Sequence, residues 1–99
     1  MKRTTVIAED AHPLGERWYV KLRILRVLPS SACPEGVSYA MTLIDLRTGK
    51  RVFALDNRGG HGHHMHIRGM RTPYRFVDIT LARRDFWQGV KTIRDSAAD

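Results

Sequence analysis

"RWYVKLRILRVL", residues 17–28, alternates apolar Trp18, Val20, Leu22, Ile24 and Leu28 with Tyr19, Lys21, Arg23 and Leu25. A period of two marks a strand half-buried against a core, whereas a helix repeats its apolar positions every three or four residues. One face of this strand is core and the other begins with cations. "PSSACPEG" (29–36) must be a loop, because Pro, Ser and Gly interrupt regular structure. "VSYAMTLIDL" (37–46) then sets Val37, Tyr39, Met41 and Leu43 on one side, which predicts a second strand. "RTGK" (47–50) reads as a hairpin turn with Gly49 tolerating positive φ, and "RVFALD" (51–56) returns as a third strand.

Three glycines in "NRGGHG" (57–62) make ordered backbone costly and predict a turn or loop. The following "HMHIRG" (64–69) fits a short fourth strand, with His64, His66 and Arg68 on one face and Met65 and Ile67 on the other. The apolar pair marks the buried face, which leaves two histidines and an arginine on the exposed one. "RTPYRF" (71–76) gives a turn and a short extended piece. Asp78 then caps a helix running to about Arg94, with Ile79, Ala82, Phe86, Val90, Ile93 and Ala97 as its apolar stripe. The expected fold is α+β: an antiparallel sheet of about four strands, in β-β-β-β-α order, packed against a C-terminal helix. Residues 1–99 form one domain, with 1–16 as a loosely ordered arm or short edge strand and 95–99 as a frayed tail.

A chain of 99 residues has room for one modest core. No run approaches the ~18–20 apolar residues of a membrane span, and the N-terminal stretch lacks the apolar segment of a signal peptide, so a cytoplasmic protein without membrane contact is expected. Cys33 is the only cysteine and cannot form an internal disulfide. The net charge is +7, and between Arg47 and Phe76 seven basic residues stand against one acid, Asp56. Thirteen of the seventeen basic residues are arginine, whose planar fork matches phosphate oxygens. Such a surface attracts polyanions, and RNA is the expected partner; an acidic protein partner would use the same charges.

"DNRGGHGHHMHIRG" (56–69) concentrates four of the five histidines. Three chemistries fit it. As a metal site it lacks a thiolate pair, has Asp56 as its only nearby carboxylate and is surrounded by arginines, so no metal and no cofactor is expected. As an acid–base site it has the needed types. Cleaving RNA without metal takes a base for the 2′-hydroxyl, an acid for the leaving 5′ oxygen and a cation for the developing charge. His64, His66 and Arg68 could fill these roles, with Asp56 fixing an imidazole tautomer. Passive phosphate binding is the third reading. Asn57, Arg58, His61, Arg51, Tyr74, Lys21 and Arg23 are the candidate contacts to RNA phosphate.

The order of residues adds a further indication. "DNRGGHGHHMH", then "PYRF" and "DFWQGV", with "LP" and "GVSYAMTLID" upstream, resembles the TumE-like family of toxin components in bacterial toxin–antitoxin pairs, over about Trp18 to Val90. The most specific part is an Asp-Asn pair, a glycine-rich stretch and a His-x-His, matching Asp56 and Asn57, Gly60 and Gly62, and His64 and His66. Tyr74, Phe76, Asp85 and Phe86 match a closing aromatic–acidic segment. The resemblance implies a small toxin, a ribonuclease with His64 and His66 as its active pair, neutralised by a cognate antitoxin. The chain departs from the pattern at His61, His63 and Met65, where lysine, an acid and arginine are usual. A non-enzymatic module that binds nucleic acid or docks an antitoxin is the alternative. Pairing with a second copy through an exposed strand edge is a base-rate expectation.

Overall fold

The computed structural model describes residues 4–60 and 62–97. Six strands form one antiparallel meander in which every neighbour in sequence is a neighbour in space: β1 (Thr5–Leu14), β2 (Trp18–Arg26), β3 (Val37–Asp45), β4 (Lys50–Asp56), β5 (His64–Ile67) and β6 (Met70–Pro73). Helix α1 (Ile79–Ser96) follows. The α+β architecture is the expected one, with six strands rather than four. The two additional strands lie at the edges. β1 carries Glu9, Asp10, His12 and Pro13, so it shows no apolar alternation, and its ten residues are recognisable only through pairing with β2. β6 is four exposed residues held by the ladder to β5.

The alternation in β2 and β3 builds the core. Val20, Leu22 and Ile24 pair with Leu43, Met41 and Tyr39, and all six are buried. Leu28, which shares the parity of that face, lies beyond β2 and is exposed. Phe53 and Leu55 of β4 continue the face, and Ala82, Phe86, Val90 and Ile93 of α1 cover it. Fully burying side chains of this kind stabilises by about 1.5–3 kcal/mol each before chain entropy is counted. Asp78 caps α1, its side chain accepting from the Leu81 N–H at 2.8 Å. Gly89 sets the closeness of helix and sheet: the Phe53 ring lies where its Cβ would be, and Phe53 stacks on Phe86 with centroids 5.8 Å apart. Arg17 clamps the far end, donating to both carboxylate oxygens of Asp45 (3.2 and 3.0 Å) and to the Ala97 carbonyl beyond α1 (3.3 Å).

Among the described residues, no helix packs on the other face of the sheet. Tyr19, Lys21, Arg23, Ala40, Thr42 and Asp56 stand on it by alternation. A bulge in β4 adds Arg51. The register passes from Leu43↔Phe53 to Ile44↔Arg51 and leaves Val52 as the extra residue, so Arg51 falls opposite Ile44 on the open face. Bulges commonly re-aim a side chain in this way.

Candidate active site

β4 and β5 place the site. Asp56, the last residue of β4, pairs directly with His64, the first of β5, and Ala54 pairs with His66. Asp56, His64 and His66 therefore share the open face across one ladder. The His66 Nε2 lies 3.2 Å from Asp56 Oδ2 and the His64 Nε2 lies 3.7 Å from Asp56 Oδ1. Both imidazoles thus turn the same nitrogen to one carboxylate, with their rings edge to face at 5.7 Å. Asp56 Oδ1 also accepts the Arg58 N–H at 3.1 Å, which fixes the start of the glycine turn.

Arg51 approaches the other side of His66, its Nη2 3.3 Å from His66 Nδ1. A guanidinium only donates, so Nδ1 must carry the lone pair and the ring proton belongs on Nε2, facing Asp56. This is a neutral imidazole. The electrostatics agree: burial first, and then the Arg51 charge, hold His66 below the ordinary histidine value, with Asp56 opposing.

The histidine face differs from expectation. His64 is only 6% exposed and His66 is half-buried, whereas Ile67, assigned to the buried side, is 40% exposed. The imidazoles lean on Asp56 and on each other, while Ile67 sits at the hairpin end, opposite Phe53 at the margin of the core. Arg68 also stands elsewhere. It occupies the β5–β6 turn with φ 48°, followed by Gly69 at φ 86°, so it leaves the strand face before the cation can join the histidines. Arg51 holds the place expected for Arg68.

Among the other candidates, Lys21, Arg23, Arg51 and Arg58 line one groove of about 520 Å³ on the open face together with the acids Glu9 and Asp10 of β1, with Thr42 and Ala40 at its floor. Arg23 is partly neutralised by Glu9 at 3.1 Å. A smaller cleft of about 250 Å³ opens on the far side of the pair, between His63, His64, Arg71, Thr72 and Pro73. His61 lies outside the described residues.

Two of the expected phosphate contacts, Asn57 and Tyr74, are engaged in hydrogen bonds within the fold. Asn57 is 8% exposed; its Oδ1 accepts the Tyr39 N–H (2.9 Å) and its Nδ2 donates to the Val37 carbonyl (2.7 Å), so it extends the ladder where β4 ends. Tyr74 donates its hydroxyl to Asp85 of α1, and its N–H donates to the His63 carbonyl. Burial and that carboxylate together push the Tyr74 phenol upward.

His63 is a residue that strand spacing could not place. Its Nε2 lies 3.0 Å from Glu35, its Nδ1 lies 2.8 Å from the Tyr39 hydroxyl, and its ring stacks on Phe76 with centroids 4.3 Å apart. The bond to His63 draws the Glu35 carboxyl below the usual range, and burial drives the Tyr39 phenol well above its own. This cluster anchors the end of the glycine turn to the β2–β3 loop and to the segment before α1.

The described residues thus form an α+β fold of six strands and one helix, whose open face carries Lys21, Arg23, Arg51 and Arg58 beside a carboxylate that faces two histidines. The family model for Toxin TumE matches residues 5–94, and the chain belongs to that toxin family. Neither a curated protein nor a solved structure matches it. Among the described residues, no helix is long and apolar enough to cross a membrane.

Proposed function

We propose that this toxin is a metal-independent endoribonuclease that uses His66 and His64 as base and acid and is held inactive by a cognate antitoxin. One observation carries the reading: Asp56 faces the Nε2 atoms of both histidines while Arg51 marks His66 Nδ1 as an acceptor. Nδ1 is then the atom that removes the 2′-hydroxyl proton. The freed oxygen attacks phosphorus, His64 returns a proton to the departing 5′ oxygen, and the products are a 2′,3′-cyclic phosphate and a 5′-hydroxyl. Arg51 shifts from Nδ1 to the phosphate, where its charge meets the charge that develops. Lys21, Arg23 and Arg58 hold the strand in the groove leading to His66, and the cleft beside His64 receives the leaving segment. Toxin-family membership supports an antitoxin as partner, and the same basic groove suits an acidic segment of one.

The burial of His64 favours a second reading, in which the face binds RNA or antitoxin without cleaving. Incubation with RNA in excess EDTA separates the two. The H64A and H66A variants should each lose about 10²–10⁴-fold in cleavage rate, the usual contribution of a positioned acid or base, with melting curves close to the parent. Salt-sensitive binding without cleavage by the parent would support the module instead.

A further inference from the structure

Asp56, His64 and His66 bring one ligand atom each within 4.8 Å of one another. A tetrahedral site with bonds of about 2.0–2.2 Å has edges of about 3.3–3.6 Å. Two observed edges, 3.7 Å for His64 Nε2 to Asp56 and 3.2 Å for His66 Nε2 to Asp56, are already close to those values. Two imidazole nitrogens and one carboxylate are a donor set that suits zinc and leaves a fourth position open. We propose that these three side chains bind one divalent transition ion of the zinc type, and that the ion switches off cleavage.

The inhibitory half rests on the acid–base reading above; the binding half does not. An ion on both Nε2 atoms displaces the His66 proton from Nε2 and requires it on Nδ1. The atom assigned as base then carries a proton, and the enzyme has no acceptor for the 2′-hydroxyl. Arg51 opposes binding, because its N–H occupies the Nδ1 side and its charge repels the ion. It is exposed and can withdraw to solvent. A glutamine in its place offers a carbonyl to the new Nδ1–H, the partner that metal-bound imidazoles usually have.

The test uses the full chain stripped with chelator, titrated with zinc by calorimetry and with cobalt(II) by its visible spectrum. One ion per chain in a tetrahedral cobalt spectrum is expected. D56N and H66Q should weaken binding by at least about ten-fold, R51Q should tighten it, and H63Q should leave it unchanged. Retained melting transitions keep a folding defect from imitating ligand loss. Binding that is insensitive to D56N and H66Q, or lost in H63Q, would mean an adventitious ion only and overturn the site. In the cleavage arm, one equivalent of zinc should suppress RNA cleavage and EDTA should restore it. Zinc bound at the triad with cleavage unchanged overturns the inhibition alone. Stripped protein that is inactive until zinc is added overturns both the inhibition and the metal-independent reading.

Discussion

At the level of single residues, the site depends on who stands opposite whom. His64 and His66 are legible from spacing, because strand residues two apart share a face. Asp56 is eight positions from His64 and meets it only because the β4–β5 ladder pairs them directly. For the same reason the sequence offered Arg68 as the cation, whereas a bulge elsewhere in β4 supplies Arg51. Polarity also misleads at Asn57. A polar residue beside glycines reads as a ligand contact, yet its amide closes the β3 edge. N57A would leave the buried Tyr39 N–H without its acceptor and the Val37 carbonyl with the weaker Cys33 thiol donor in place of the amide. It should cost about 1–3 kcal/mol by denaturant melting, with RNA affinity nearly unchanged in the folded protein. A variant as stable as the parent with weakened RNA binding would restore Asn57 to the contact list.

At the level of elements, β2, β3 and α1 are written plainly in their periods, and the Asp78 cap falls where it was expected. The edges are not, because an edge strand such as β1 needs only its ladder and one neighbour, and charges and proline there also discourage pairing with other chains. Gly89 is the least legible contribution. In a helix interior glycine is disfavoured by about 1 kcal/mol against alanine, which would recommend G89A as a stabilising change. The Phe53 ring reverses that expectation. G89A should instead destabilise by about 1–3 kcal/mol, and combining it with F53L should recover part of the loss in a double-mutant cycle. Simple additivity of the two changes would show that the close approach is not what glycine provides.

For the whole molecule, two charge systems do different work. Arg17 holds strand and helix ends together, and its bonds to Asp45 keep that carboxyl below the usual carboxylate range, against the opposing effect of burial. A depressed folded value contributes stability above the unfolded value of about 3.9 and loses it as pH falls through the folded one. R17M should therefore melt below the parent near neutrality, and the gap should narrow below about pH 4; a gap independent of pH would assign Arg17 a packing role only. The open face acts outward. If Lys21 and Arg58 contact phosphate, K21Q and R58Q should each flatten the salt dependence of single-stranded RNA binding by about 0.7 in slope, similarly for all sequences. An unchanged slope would remove that residue from the interface.

Acid–base cleavage of RNA by a histidine pair steered by one carboxylate is the activity proposed for this toxin. Its most direct test is the chemistry of the cut ends after incubation of the parent, H64A and H66A proteins with RNA in excess EDTA. Acid–base cleavage should leave 2′,3′-cyclic phosphate and 5′-hydroxyl ends with the parent, and both variants should lose nearly all cleavage. Undiminished cleavage by either variant, or cleavage by the parent that EDTA abolishes, would contradict it.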